Sequence, residues 1–206
     1  MPLPLEGIRV LDVTQVMAGP FCTMLLADMG ADVIKIEKPG GGDEIRKTGP
    51  PFINGESAAF LAINRNKRSI VLDLKATDGI EILSGMAEKS DIIVQNMTPG
   101  RMDRLGLGYN QIHSINPSMI YCSISGHGAT GPDKNKPGFD LVAQGLSGLM
   151  NLTGHDDDMP TKVGVPITDL NAGLYAAYGI LSAYINRLKT GKGQHVDTSL
   201  LEAGIA

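Results

Sequence analysis

Two apolar runs near the amino terminus decide the fold class: Ile8-Arg9-Val10-Leu11-Asp12-Val13 and Asp32-Val33-Ile34-Lys35-Ile36-Glu37. Both are rich in β-branched and aliphatic residues, which predicts a strand in each case. Residues 21–29 between them predict a helix that is closed by Gly30. A strand, a helix and a second strand in this order are typical of a parallel sheet with helices on its faces.

The same alternation continues along the chain. Further strands are predicted at residues 69–74, 91–94 and 119–124. Helices or helical turns are predicted at residues 77–90, 101–105, 111–115, 140–152 and 169–189. Residues 38–68 show no clear periodicity and predict a functional loop or an excursion at the edge of the sheet. The chain is therefore predicted to be an α/β protein with a Rossmann-like, mostly parallel sheet flanked by helices.

Composition narrows the class of partner. The net charge of −4 over 206 residues gives no reason to expect nucleic acid or a membrane surface as partner. No stretch reaches the ~20 apolar residues that cross a bilayer, and a cytoplasmic location is the expectation. Cys22 and Cys122 are expected to be free, buried thiols of a reducing compartment. No metal site is expected, because the histidines are dispersed at positions 113, 127, 155 and 195.

Asp169 is the residue with the most suggestive context. It lies in the run Pro166-Ile167-Thr168-Asp169-Leu170-Asn171-Ala172-Gly173, which opens the last long helix. A carboxylate followed by small residues leaves space for a large ligand to meet a nucleophile, and the helix dipole favours its ionised form. Thr168 and Asp169 are also ordinary N-cap residues, so this pattern alone leaves a capping role open.

A dinucleotide-binding reading of the first strand and helix is possible but poorly supported. The turn between them contains Gly19 where the Gly-x-Gly-x-x-Gly fingerprint needs three glycines. Glu37 stands at a plausible ribose-binding place at the end of the second predicted strand. A nicotinamide-dependent oxidoreductase is therefore a weak alternative.

Several motifs, in order along nearly the whole chain, resemble the class III CoA-transferases. They include Gly30-Ala31-Asp32-Val33-Ile34-Lys35-Ile36-Glu37 and Lys189-Thr190-Gly191-Lys192-Gly193-Gln194-His195-Val196-Asp197. The other matching segments are residues 4–12, 18–22, 64–70, 99–102, 105–109, 137–140 and 168–169. The resemblance implies an acyl-CoA and a small carboxylate as substrates, and no permanently bound cofactor.

The resemblance places the family's nucleophilic aspartate at Asp169. Its carboxylate would attack the thioester carbonyl of an acyl-CoA to give an aspartyl-acyl anhydride and CoA thiolate. The thiolate would then form an aspartyl-CoA thioester, and an acceptor carboxylate would reverse these steps.

Residues that would contact CoA are also implied by the resemblance, and several suit the chemistry. Lysine and arginine can neutralise the phosphates, while methionine and alanine can pack on the adenine or the pantetheine arm. The implied contacts are Val16, Met17, Ala18, Lys38, Leu72, Lys75, Asn96, Met97, Arg104 and Lys136.

The family also contains α-methylacyl-CoA racemases, which need a His and Asp proton-transfer pair. Phe139 stands where the racemase histidine would be, and phenylalanine cannot move protons. The transferase is therefore favoured over the racemase, although His127 is nearby in sequence.

The chain is about half as long as members of that family. We expect residues 1–206 to form the amino-terminal part of the large domain, with the small domain absent. The resemblance implies a homodimer, interlocked in full-length members. A CoA-binding fragment without turnover is the alternative to an active transferase, and the sequence does not define the acyl groups.

Overall fold

The computed structural model describes residues 2–154 and 159–206. His155, one of the four histidines considered above, lies outside the described residues. The predicted fold class is confirmed: a six-stranded sheet, parallel throughout, carries helices on both faces. No helix in the described ranges is long and apolar enough to cross a bilayer.

The strand order of the large sheet is β5-β2-β1-β6-β7-β8. These strands are β1 (Arg9–Val13), β2 (Asp32–Glu37), β5 (Lys67–Val71), β6 (Ile92–Gln95), β7 (Ile120–Ser125) and β8 (His195–Ser199). A separate antiparallel hairpin joins β3 (Phe52–Ile53) to β4 (Glu56–Ser57). The chain adds strands on one side of β1 and later on the other, so the order reverses between β1 and β6. Ligands of open α/β sheets bind at such a reversal, outside the carboxyl ends of the strands.

The helices are α1 (Ala18–Asp28), α2 (Ala58–Ile63), α3 (Thr77–Ala87), α4 (Arg101–Arg104), α5 (Tyr109–Ile115), α6 (Asp140–Leu146), α7 (Leu149–Leu152), α8 (Ile167–Thr190) and α9 (Leu200–Ile205). One core lies between the sheet and helices α1 and α8, where Leu26, Ile92 and Ile180 are buried. A second core lies on the other face under α3 and α5, around Leu83 and Ile112. Cys22 and Cys122 are buried free thiols in the first core, as expected.

Alternating strand faces explain the two cores. Val10 points to the α1 and α8 side, and its neighbour Leu11 points to the α3 and α5 side. Small residues cover the buried face of α8, among them Ala172, Gly173 and Ala176. Because these side chains are short, α8 packs close to α1 and to the sheet.

Two predicted regions differ from the structure, and two elements of the structure near the end of the chain had no prediction. The long irregular region after residue 38 contains a 3₁₀ helix at Glu44–Lys47, the hairpin and α2, so it is largely ordered. The helix predicted at 140–152 is interrupted at Gly148, which has φ +82° and begins a new short helix. The strand β8 and the helix α9 were not predicted at all, because the polar run His195–Ser199 lacks the apolar pattern of the other strands.

The observed bounds of two helices also differ from the predicted ones. Helix α1 begins three residues earlier than predicted, because Pro20 lies in its first turn, where proline is tolerated. Helix α8 begins at Ile167 rather than at Asp169 and ends at Thr190. At the start of β5, the ammonium group of Lys67 is buried against the Asp12 carboxylate at 3.0 Å.

Gly193, between α8 and β8, gives a steric test of this packing. A Cβ atom there would lie 1.9 Å from the carbonyl oxygen of Met119, whereas a Cβ at the exposed Gly85 of α3 would meet nothing within 4 Å. We expect G193A to lower the free energy of unfolding by about 1–3 kcal/mol and G85A to raise it by about 0.5–1 kcal/mol. Urea denaturation of both variants measures this, and equal midpoints would contradict the close packing.

Candidate active site

Asp169 lies in the first turn of α8 and opens onto a cleft at the carboxyl ends of the strands. The cleft has a volume of about 280 Å³. Its walls include the turn after β1, the loop after β6, residues 124–126 at the end of β7, and the segment from Lys136 to Asp140. The side chain of Asp169 is partly exposed to this cleft. A ligand approaching along the cleft could therefore reach the carboxylate.

The start of α1 touches the first turns of α8. Gly173 follows Asp169 by one helical turn, and a Cβ on it would lie 2.7 Å from the carbonyl oxygen of Ala18 and 2.9 Å from the Phe21 ring. Glycine at this position lets the two helices approach until the backbone N–H of Ala18 is close enough to favour the ionised Asp169 carboxyl. The small residues after Asp169 thus bring α1 close as well as leaving space for a ligand.

The protonation of Asp169 differs from the sequence-based expectation. Burial and, to a smaller extent, the nearby Asp140 carboxylate together raise the pKa of its carboxyl to about 7, although the backbone N–H of Ala18 favours the anion. The helix dipole, which we expected to favour the ionised form, does not keep the pKa of Asp169 at its ordinary value. Removal of the carboxylate from water outweighs the partial positive charge of the helix end here.

Asp140 fills the capping role that the sequence left open for Asp169. One of its carboxylate oxygens accepts hydrogen bonds from the backbone N–H of Thr168 at 2.9 Å and from the Thr168 hydroxyl at 2.8 Å. The other oxygen accepts from Nε2 of Gln144 at 2.6 Å. The Pro166 N-cap position of α8 supplies no capping side chain. Because Asp140 satisfies the start of α8, the Asp169 carboxylate is left facing the cleft.

A second cleft of about 160 Å³ adjoins the first. Lys38, Leu72 and Lys75 line it, at the carboxyl ends of β2 and β5. Gln15, Met97 and Arg101 line both clefts, so the two meet where the turn after β1 faces the loop after β6. Hydrogen bonds between the Gln15 backbone and the Asn96 side chain, at 2.9 and 2.8 Å, join these two segments.

The structure brings nine of the ten implied CoA contacts to these two clefts. Val16, Met17, Ala18, Asn96, Met97 and Lys136 line the cleft of Asp169, and Lys38, Leu72 and Lys75 line its neighbour. Arg104 is exposed in α4 and lines neither cleft. Arg101, one helical turn earlier, lines both and was missed, although it lies in the segment 99–102 that carries the resemblance.

Lys38 and Lys136 are partly engaged with acidic neighbours. Lys38 pairs with Glu44, and Lys136 pairs with Asp133 at 2.9 Å. Both pairs are exposed, so they cost little to exchange for a phosphate. Lys75 is exposed at the second cleft and forms no ion pair with the described residues.

Two alternatives lose support from the geometry. Phe139 is 64% exposed at the cleft, while His127 is not among the lining residues and contacts the carbonyl of Pro137 at 3.3 Å. The racemase pair is therefore not assembled from these residues. Glu37, considered for a ribose, is bound through both oxygens by Arg46 at 2.8 Å, so its carboxylate is already satisfied.

A half-buried carboxyl thus lies at a cleft outside the carboxyl ends of parallel strands, where α/β domains commonly bind nucleotide-like ligands. Residues 5–206 match CoA-transferase family III, and the chain belongs to that family.

Named relatives share nearly all of this chain. Succinyl-CoA:glutarate CoA-transferase of Homo sapiens is 48% identical over 203 residues, which are 98% of this chain and 46% of that protein. Acetyl-CoA:oxalate CoA-transferase of Acetobacter aceti is 44% identical over 204 residues, which are 98% of this chain and 52% of that protein. The chain thus spans about half the length of the curated relatives it matches.

A solved structure agrees with the fold. The crystal structure of a CAIB/BAIF family protein from Brucella suis superposes with a TM-score of 0.96 at 42% identity. The match covers 100% of this chain and 55% of that one.

The charge on Asp140 can be tested through its neighbour. We expect D140N to lower the pKa of Asp169 from about 7 toward the ordinary 3.8, because the substitution removes an adjacent anion that opposes ionisation. Carboxyl ¹³C NMR titration of the protein without ligand measures the pKa directly. D73N, which removes an exposed carboxylate of the neighbouring cleft, is the matched control and should leave it unchanged. An unaltered pKa in D140N would refute the electrostatic role.

Proposed function

We propose that this chain carries the nucleophile and the CoA-binding part of an acyl-CoA:carboxylate CoA-transferase. The observation that supports this most directly is the position of Asp169. Its carboxyl is half-buried, does not cap the helix, and faces a cleft that six of the ten implied CoA contacts also line. Family membership and the names of the relatives support the same chemistry.

The proposed reaction exchanges acyl and CoA groups on Asp169. Its carboxylate oxygen attacks the thioester carbonyl of the donor. The C–S bond breaks, CoA leaves as the thiolate, and a mixed anhydride remains between Asp169 and the donor acyl group. The thiolate attacks the aspartyl carbonyl and expels the donor carboxylate, which leaves an aspartyl-CoA thioester. The acceptor carboxylate attacks this thioester and releases the CoA thiolate, which leaves a second mixed anhydride on Asp169. The thiolate then attacks the acceptor carbonyl of that anhydride, so that the acceptor acyl-CoA forms and the Asp169 carboxylate is freed.

The raised pKa of Asp169 suits a nucleophile. At pH 7 about half of the carboxyl groups are ionised, and a carboxylate of higher basicity attacks a carbonyl faster than an ordinary aspartate. The anion forms in partly dehydrated surroundings, which strengthens its contact with the Ala18 N–H. Transfer is therefore expected to rise with pH through about 7 as Asp169 ionises.

Close backbone packing forms another part of the cleft wall. Gly126 and Gly138 lie so close that a Cβ on either would be within 2.3 Å of the other's Cα. We propose that backbone N–H groups near these glycines face the developing oxyanion of each carbonyl attack. Water is excluded only partly by these walls, so orientation of the bound thioester supplies much of the catalysis.

The substrates proposed are a small acyl-CoA and a small carboxylate, with no permanently bound cofactor. Relatives are named for succinyl-CoA, glutarate and oxalate, so dicarboxylic acids form the first panel to assay. The assignment of residues 1–206 to the amino-terminal part of a large domain is a proposal of the same standing.

A homodimer and a cytoplasmic location remain predictions. The outer face of α8 exposes Tyr175, Tyr178, Ile185 and Leu188. An apolar face of this kind supports the proposal that further protein covers it, either a second copy or the remainder of a longer chain.

We expect D169N to lower the transfer rate by about 10³-fold or more, because an amide cannot form the anhydride. The wild type, mixed with an acyl-CoA, should yield a hydroxylamine-sensitive adduct on Asp169 that mass spectrometry detects and that D169N lacks. D78N is the matched control, since Asp78 occupies the first turn of α3 away from both clefts. Full transfer by D169N would remove Asp169 from the chemistry.

A CoA-binding unit without turnover is the second candidate, and the observation that favours it is the half-length match to the relatives. Calorimetric titration with CoA and a transfer assay on one sample separate the two: binding without turnover supports the second candidate.

Under either candidate function, K75Q should weaken CoA binding about tenfold through loss of a charged phosphate contact. K192Q, which removes an exposed lysine outside both clefts, should not weaken it. Equal affinities would place the phosphates elsewhere.

A further inference from the structure

The turn between β1 and α1 is held in place by side chains. Residues 15–18 of this turn (residues 14–18) line the Asp169 cleft, and the backbone N–H of Ala18 favours the ionised Asp169 carboxyl. The Thr14 N–H donates to the Asp12 carboxylate at 3.0 Å. Asn96 binds both the N–H and the carbonyl of Gln15.

Val16 adopts an unfavourable backbone conformation in this turn. Its φ is +68°, in the left-handed region that β-branched residues rarely occupy. Such a conformation persists only where the surrounding structure imposes it, and it clusters at sites where the backbone must point in a particular direction. Here the N–H of Val16 donates to both carboxylate oxygens of Asp43, at 3.0 and 3.2 Å.

Asp43 belongs to a fully buried ion pair with Lys35. The two side chains are only 1% and 2% exposed, and Nζ of Lys35 lies 2.9 Å from the carboxylate. Lys35 also donates to the Thr14 carbonyl at 3.0 Å, and Asp43 accepts from the Ile45 N–H at 3.1 Å. The pair therefore holds the turn at two points, the carbonyl of Thr14 and the N–H of Val16.

Stability alone is a poor explanation for this pair. Burying two charges carries a desolvation cost that their attraction often fails to exceed, and apolar residues of similar size frequently serve the fold equally well. What apolar residues cannot do is accept a hydrogen bond from Val16 or donate one to Thr14. The contacts of the pair thus point to control of the backbone.

We propose that Lys35 and Asp43 are positioning residues for Asp169, acting by holding Val16 in its left-handed conformation so that the Ala18 N–H meets the Asp169 carboxylate. The proposed effect on transfer rests on the function proposed above, but the effect on the Asp169 carboxyl does not. Neither residue is a direct hydrogen-bond partner of Asp169; both act through the turn.

The test removes the pair without changing the net charge. In the double variant K35M/D43L the Val16 N–H loses its acceptor, and no unpaired charge is left to alter Asp169 by long-range electrostatics. We expect the pKa of Asp169, followed by carboxyl ¹³C NMR, to rise by about one unit, as for the loss of one hydrogen bond to an anion. An unchanged pKa in the folded double variant would overturn the proposal.

A glycine at position 16 provides the diagnostic rescue. Glycine occupies positive φ freely, so the turn no longer needs the pair to hold it. Adding V16G to K35M/D43L should return the pKa of Asp169 to that of V16G alone. Persistence of the rise would show that the pair acts by another route and would reject the mechanism.

A matched control separates positioning from general destabilisation. N116A removes hydrogen bonds of the Asn116 amide to the carbonyls of Ala87 and Ser90, at the opposite end of the sheet. It should lower the urea midpoint while leaving the pKa of Asp169 unchanged. A rise in N116A equal to that in K35M/D43L would count against a specific role.

A milder variant covers failure to fold. In K35M/D43N the amide oxygen can still accept from Val16, so a smaller rise in the same direction is expected, and no rise would overturn the proposal. In a chain that shows transfer, K35M/D43L should lower kcat about tenfold or more with little change in KM for the acyl-CoA. If D169N proves fully active, the proposed function fails while the NMR titration still decides the positioning role.

Discussion

The contact between the first turns of α8 and the start of α1 is the constraint on which this site depends. Gly173 permits it, since any larger residue would meet the Ala18 carbonyl. Through this contact the Asp169 carboxyl of α8 lies against the amino terminus of α1, close to the point where the strand order reverses between β1 and β6. The helix face that forms the core is therefore also the face that positions the Asp169 carboxyl.

The same contact sets two electrostatic effects against each other. Burial and the Asp140 carboxylate oppose ionisation of Asp169, whereas the Ala18 N–H favours it. The balance is a carboxyl that titrates near neutral pH, which combines a useful ionised fraction with higher basicity than an exposed aspartate has. Asp140 contributes twice, because it also satisfies the backbone at the start of α8 and so frees Asp169 from a capping role.

Two buried ion pairs near the clefts also hold the backbone in place. Asp12, near the carboxyl end of β1, pairs with Lys67 at the start of β5, and Lys35 of β2 pairs with Asp43 in the loop after β2. Their polar atoms replace the ladder hydrogen bonds that the turn after β1 lacks. In this part of the sheet, charged side chains shape the backbone that lines the two clefts.

Residue patterns predicted most of the elements. The strands β1, β2, β6 and β7 and helices α1, α3 and α8 follow from apolar periodicity and Gly or Pro boundaries, because these elements bury one continuous apolar face. Periodicity failed at β8, a polar edge strand recognised only through its pairing with β7. It also failed in the region after β2, whose short elements depend on contacts with α1 rather than on local pattern.

For the site, the sequence by itself determined the family, through ordered motifs, and singled out Asp169 and nine other residues that line the two clefts. Only the tertiary structure decided the ionisation of Asp169, the capping role of Asp140, the presence of Arg101 in place of Arg104, and the strained turn at Val16. The physical reason is common to all four. Desolvation, Coulombic interaction and backbone strain depend on distances between residues far apart in the chain, and no local pattern of side chains encodes those distances.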